Sequence, residues 1–190
     1  EWYETDPEAH TTWSAQINKD ASNRFNPMVK LMKRNRREFP TVNKHPKSIA
    51  LEALVAEHMS TTEIHYGQLI HDTFDSIIDK YSFNRLLGGC PVIDDPVIPN
   101  GNLLGGVSGN AFCAFYDKIE GFRDEAKKAI DAKDQDVATK HWRKIFGQRF
   151  PAPKSTSSSL KADGKIAGIN LDNKGNNKAP PGKKNTENAR

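Results

Sequence analysis

CPVIDDPVIPNGNLLGG, Cys90 to Gly106, is the stretch on which the reading of the fold turns. It follows no regular hydrophobic period. Asp95-Pro96 and Pro99-Asn100-Gly101 are turn signals, so the segment reads as a shaped loop between two helices. A loop this long inside a compact domain is usually functional or unstructured. Val92, Ile93, Val97, Ile98, Leu103 and Leu104 give it apolar surface to bury, which predicts an ordered one.

Both flanks read as helix. After the loop, Phe112, Phe115, Ile119, Phe122, Ala126 and Ala129 mark one face from about Ser108 to Ala132. Before it, Tyr66, Ile70, Phe74, Ile77, Ile78 and Tyr81 predict a helix from about Glu63 to Tyr81. Further upstream, Ser48 can cap a helix whose apolar side is Ile49, Leu51, Leu54, Val55 and Met59. Asn26-Pro27 reads as the start of another, carrying Val29, Leu31 and Met32 and ending at Phe39-Pro40. Asp6-Pro7 has the capping residue followed by proline at the first helical position, and Ala9, Trp13 and Ile17 recur behind it. The last helix starts at Asp134, with Val137, His141 and Ile145 in a stripe that Trp142 and Phe146 widen. Strand-like alternation is scarce; Trp2–Tyr3 is a candidate short strand.

The expected fold is mainly α, a helical bundle over residues 1–150 followed by a tail, 151–190. The tail is rich in Ser, Lys, Asn, Gly and Pro and is expected to be disordered. It holds eight basic and three acidic residues, leaving 20 basic and 21 acidic in the rest. The net charge of +4 therefore belongs to the tail, and the basic pI says little about a nucleic-acid footprint on the bundle. No apolar run approaches the ~18–20 residues of a membrane span. Cys90 and Cys113 give neither a disulfide framework nor a zinc spacing, and free thiols in a reducing cytoplasm are the simplest reading. The chain opens on Glu1 rather than Met, which reads as a processed protein or a piece of a longer one.

By residue type alone no active site is complete. His58, His65 and His71 fit no common metal signature and read as ordinary core or surface histidines. Gly101–Gly109 lacks the Lys-Ser/Thr ending of a phosphate loop. One cluster suits an anion. Lys30, Lys33 and Arg37 fall on one helix flank, and Lys47-Ser48 opens the next helix, where free amides and the dipole favour negative charge. A solvated basic face with a plain N-cap fits the same residues.

VKLMKRNRR (Val29–Arg37), KSIALEAL (Lys47–Leu54), PVIDDPVIPNGNL (Pro91–Leu103) and HWRKIFGQRFP (His141–Pro151) occur in this order. Together with the opening EWYETDPEAH (Glu1–His10) they resemble the C-terminal helical half of bacterial cyclic GMP-AMP synthase-like nucleotidyltransferases, relatives of the oligoadenylate synthases. The resemblance implies a two-lobed enzyme that makes cyclic di- or trinucleotide messengers from nucleoside triphosphates in phage defence. It implies that Lys33 and Ser48 contact the donor triphosphate, and that Mg²⁺ is held by carboxylates of the other half. Glu52, in the S-x-x-L-E pattern, reads as structural, pairing with a neighbouring base. The tail becomes a candidate for capture or conjugation by a partner protein.

The chain departs from the family at the catalytic motifs. It has no Gly-Ser pair, and its only Asp-x-Asp is Asp134-Gln135-Asp136. The expectation is that the metal-binding half lies upstream of Glu1 and that this chain alone holds no catalytic residue. The alternative reading is a non-catalytic helical module that binds a nucleotide, a nucleic-acid backbone or a partner protein.

Overall fold

In the computed structural model, which describes residues 6–41 and 44–153, the Asp6 carboxylate accepts the Ala9 amide at 2.9 Å and starts α1 (Pro7–Asp20). Five more helices follow: α2 (Phe25–Glu38), α3 (Ser48–His58), α4 (Tyr66–Leu86), α5 (Gly109–Asp131) and α6 (Gln135–Phe146). Among the described residues there is no strand, only an isolated bridge between Asp94 and Asn102. The mainly α expectation holds. Trp2–Tyr3 and residues 154–190 lie outside the described residues.

The two longest helices, α4 and α5, make the most extensive packing, with α6 on α5 and α2 bridging α3 and α6. Their apolar faces meet in one core built around Phe25, Met28, Leu51, Leu54, Leu69, Phe74, Ile77, Phe112, Ile119 and Ile145. α3 is buried on most sides: Ala50, Leu51, Ala53, Leu54 and Val55 all lie inside. Burying Leu51, Leu54 and Val55 stabilises by about 1.5–3 kcal/mol each, so α3 is anchored along its length. That anchoring fixes its N-terminus, which matters for the site below.

Several boundaries differ from the sequence reading, each for a local reason. α2 begins at Phe25, one residue before the Asn26-Pro27 signal. The Asn26 amide is met by the side chain of Asn18 at 2.9 Å, so the preceding helix supplies the cap. α4 begins at Tyr66 rather than Glu63. The Ser60 hydroxyl accepts the Glu63 amide at 3.1 Å and the Glu63 carboxylate accepts the His65 amide at 2.6 Å, and such bonds compete with helix formation. α4 also runs past Tyr81 to Leu86, leaving Phe83 and Leu86 exposed. On α6 only Ile145 and Phe146 are buried; Val137, expected in the apolar stripe, is exposed. The folded unit continues through Pro153, past the expected end at 150. Phe150 stacks on Phe146 at 5.8 Å and Pro153 is buried.

The Cys90–Gly106 loop is ordered, as its apolar content predicts. Ile93 and Leu104 enter the core. The Asn102 side chain accepts the amides of Ile93 and Leu104, and the Asp95 carboxylate accepts those of Val97 and Ile98. His10 Nε2 stands 3.3 Å from the same Asp95 carboxylate and joins α1 to the loop. Gly101 is needed where the loop folds on itself: a Cβ there would stand 2.7 Å from that of Asp95. Gly109 is needed where α5 starts, because a Cβ would stand 1.9 Å from the Gly88 carbonyl oxygen.

Candidate functional site

Three elements converge on a cleft of about 740 Å³. The last turns of α2 bring Lys33, Arg36 and Arg37. The connection to α3 brings Pro40, Lys44 and Lys47, and Ser48 completes the wall. Lys33 and Ser48, fifteen residues apart in sequence, therefore line one space. Lys30 is exposed and outside this wall. The basic set at the cleft is Lys33, Arg36 and Arg37 rather than Lys30, Lys33 and Arg37.

Ser48 is the first residue of α3, not its cap. Lys47 occupies the cap position, and no side chain caps the helix. The Ser48 hydroxyl instead accepts a hydrogen bond from Arg36 Nη2 at 3.0 Å. Arg36 Nη1 donates to the Pro46 carbonyl at 2.7 Å. One guanidinium thus pins the α2–α3 connection and the start of α3 together. Burial lowers the Arg36 pKa from its ordinary value. Burial first, then the charge of Lys47, lowers the pKa of His45 beside it.

One turn along, Lys33 Nζ forms an ion pair with Glu52. The pairing read for Glu52 from its sequence position is therefore present. The contacts Arg36–Ser48 and Lys33–Glu52 form two rungs between α2 and α3. Ser48 and Glu52 are four apart on α3; Lys33 and Arg36 are three apart on α2, so each pair shares a helix face.

Chemically, the cleft offers five cationic side chains, a hydroxyl and the amide-rich end of a helix. The first amides of a helix have no intrahelical acceptor, and the dipole adds partial positive charge. An extended polyanion such as a polyphosphate matches this set. A divalent cation does not: Glu52 is already held by Lys33, and no group of three or more His, Cys, Asp or Glu residues suited to a metal occurs among the described residues. The sole Asp-x-Asp opens α6, with Asp134 accepting the Val137 amide as a helix cap. His58 is buried against Ser76 and His71 pairs with Asp72, so these two histidines serve different neighbours.

A second cleft, about 640 Å³, is lined by Glu52, the ion-pair partner of Lys33 in the first. α1 contributes His10, Thr11 and Ser14, α3 contributes Ile49, and the loop contributes Asp95, Ile98, Asn102 and Leu103. The sequence reading missed Arg36 and Lys44 as cleft residues. The spacing Lys33, Arg36, Arg37 was a usable signal for Arg36, since these positions share a helical face. Lys44 had no such signal.

No protein-family model matches the chain. It is 39% identical over 163 residues to the cyclic AMP-AMP-AMP synthase of Acinetobacter sp. (strain ATCC 27244 / 9458), covering 86% of this chain and 48% of that one. It is 26% identical to a probable cyclic AMP-AMP-GMP nucleotide synthase of Salmonella paratyphi B, over 80% of this chain and 40% of that one. The cyclic AMP-AMP-GMP synthase of Enterobacter hormaechei subsp. hoffmannii (strain UCI 50) is 23% identical over the same shares. The chain thus spans about half the length of the curated relatives it matches, or somewhat less. Its fold is shared with E. coli MS115-1 CdnC, solved in complex with HORMA-deltaN (TM-score 0.61, 18% identity, 79% of this chain and 57% of that one). It is shared equally with CdnC solved with ATP (TM-score 0.60, 20% identity, 73% and 49%). By sequence and by fold, the chain matches the C-terminal helical half of the bacterial cyclic GMP-AMP synthase-like nucleotidyltransferases.

Proposed function

We propose that the chain is the helical half of an enzyme that joins nucleoside triphosphates, with release of pyrophosphate, into a cyclic di- or trinucleotide used in antiviral defence in the cytoplasm. Its own part is to bind and orient the triphosphate of the donor nucleotide. The observation that carries this reading is the meeting of Lys33 and Ser48 in one cationic cleft at the start of α3. The 39% identity to a cyclic AMP-AMP-AMP synthase supports the product class.

Lys33 donates to phosphate oxygens from one wall. Ser48 and the first amides of α3 face them from the other, and Arg36, Arg37, Lys44 and Lys47 add long-range attraction. Holding the triphosphate fixes where the reacting phosphorus sits, and positioning is a large part of phosphoryl-type catalysis. The Mg²⁺ that such an enzyme uses would draw its ligands from outside this chain, because the cleft here repels cations. A protein partner that engages residues 151–190 belongs to the same proposal.

The test is mass spectrometry of products from mixed nucleoside triphosphates, using the natural full-length protein and its Lys33→Ala and Ser48→Ala variants. Cyclic oligonucleotide from the parent, strongly reduced in both variants, is the expected result. Parent protein that releases no pyrophosphate overturns it.

A further inference from the structure

We propose that Glu52 is a positioning residue for triphosphate binding, acting through Lys33; this rests on the reading of the cleft as a triphosphate site. Glu52 does not line the basic cleft. It stands behind Lys33, lining the second cleft, and its carboxylate holds the Lys33 ammonium from that side. The pair is partly shielded, with 33% of the Lys33 side chain and 21% of the Glu52 side chain exposed. A lysine is a flexible four-carbon stem carrying three donors. Held by Glu52 through one of them, it keeps the others for phosphate oxygens.

Two features argue that Glu52 orients rather than competes. It approaches from outside the space an anion would occupy. The cleft also keeps Arg36, Arg37, Lys44 and Lys47, so one carboxylate behind the wall does not cancel its positive field. The arrangement repeats on the adjacent rung, where Arg36 holds the Ser48 hydroxyl. Each of the two family contact residues thus has an intrachain partner that fixes its direction before ligand arrives. Such preorganisation strengthens binding because fewer side chains must be ordered at that moment.

The 190-residue chain is titrated by calorimetry with ATP, inorganic tripolyphosphate and AMP, as the parent and as Lys33→Ala, Glu52→Gln and the double variant. Glu52→Gln is expected to weaken ATP and tripolyphosphate by roughly two- to tenfold, the cost of immobilising one long side chain, and to leave AMP unchanged. In the Lys33→Ala background it adds nothing. A purely structural role would shift all ligands alike and persist in that background. Nitrogen-detected NMR of the Lys33 ammonium gives a second readout on the parent itself: a slowly exchanging signal in the free chain that persists with tripolyphosphate. Unchanged or tighter binding by Glu52→Gln overturns the positioning role, as does a freely exchanging Lys33 ammonium in the parent. If Lys33→Ala loses affinity while Glu52→Gln does not, only this role falls. If the parent binds neither ATP nor tripolyphosphate, the reading of the cleft falls with it.

Discussion

The Arg36 guanidinium reaches across from α2 to hold the Ser48 hydroxyl at 3.0 Å, and with its other nitrogen it holds the Pro46 carbonyl at 2.7 Å. The start of α3 is therefore set by a neighbouring helix and not by a cap of its own. This changes what each substitution at the cleft should do.

If Lys33 holds the triphosphate as proposed, Lys33→Ala is expected to remove a charge-assisted phosphate contact worth about 1.5–3 kcal/mol, roughly a tenfold or greater loss of triphosphate affinity. Ser48→Ala removes a hydroxyl that caps nothing but accepts from Arg36; the position is exposed and Arg36 keeps the Pro46 carbonyl, so the stability cost should be about 0.5–1.5 kcal/mol while triphosphate binding weakens. Calorimetric titration with ATP, alongside thermal unfolding, separates the two effects. Lys30, outside the cleft, is the control. Loss of affinity in Lys30→Ala with Lys33→Ala unaffected would show that the assignment along α2 is wrong.

Asn35 ties the site helix α2 to the end of α6. It is buried on α2 and donates its side-chain amide to the Ile145 carbonyl at 2.7 Å, near the end of α6. Asn35→Ala leaves that carbonyl without its donor inside the protein, at a cost of about 1–3 kcal/mol. The expected result is a clearly lowered urea midpoint with an unchanged slope. A midpoint equal to that of the parent would mean that water replaces the amide.

How much of this was legible in the sequence depends on the range of the interaction. Asp6 was readable as a cap, and Ser108 and Asp134 as helix starts, because each bonds its own first turn. Asn26 was misread because its amide is satisfied by Asn18 of the previous helix. The start of α4 was misplaced because Ser60 and Glu63 bind backbone locally, and apolar periodicity is blind to that. The site shows the same division. Lys33 and Ser48 stood out through the resemblance, and Glu52 through its position in the motif. The rungs Arg36–Ser48 and Lys33–Glu52 exist only once α2 and α3 pack, so no spacing rule specified which cation faces which partner.

Stability should fall on mild acidification, chiefly through His58. Its side chain is only 4% exposed. Burial lowers its pKa, opposed by the nearby Glu57 charge and assisted by Lys80. The folded chain thus binds this proton less readily than the unfolded chain, where the pKa is about 6.5. The contribution is complete above that value and is lost as pH drops through it. His45 is shifted in the same direction and adds to the slope. Glu125 acts lower. Burial alone would raise it, but hydrogen bonds from His141, Lys128 and Lys144 outweigh that and hold its pKa at about 2, so its contribution is present above the ordinary carboxylate pKa of about 4.3 and fades as pH falls from there towards 2. The thermal midpoint is expected to drop between pH 7.5 and 5.5, with a shallower slope in His58→Gln. Identical slopes in parent and variant would assign the effect elsewhere.

The chain by itself should make no nucleotide product. It contains no Gly-Ser pair, and its one Asp-x-Asp caps α6 away from the basic cleft wall. Incubation of the 190 residues with the four ribonucleoside triphosphates and Mg²⁺ or Mn²⁺ should release pyrophosphate at the rate of a buffer control. A rate above that control, abolished by Lys33→Ala, would place catalytic groups within the chain after all.

Truncation separates the folded unit from the basic tail at a position the structure sharpens. Phe150 stacks on Phe146, Arg143 donates to the Phe150 carbonyl, and Pro153 is buried, so the last residues before 154 belong to the bundle. Cutting after Pro153 is expected to leave the thermal midpoint unchanged, since residues 154–190 hold few large apolar side chains to bury. Cutting after Gly147 should lower it, because the aromatic pair alone contributes about 0.5–1.5 kcal/mol beyond its buried area. The shorter cut also removes the contacts that close the end of α6, the helix to which Asn35 anchors the cleft-bearing α2. ATP affinity should therefore survive the cut after Pro153 and weaken with the cut after Gly147. If the cut after Pro153 lowers the midpoint as much as the cut after Gly147, residues 154–190 contribute to the stability of the bundle. If the cut after Pro153 leaves capture by a partner protein unaltered, the tail is not where that partner binds.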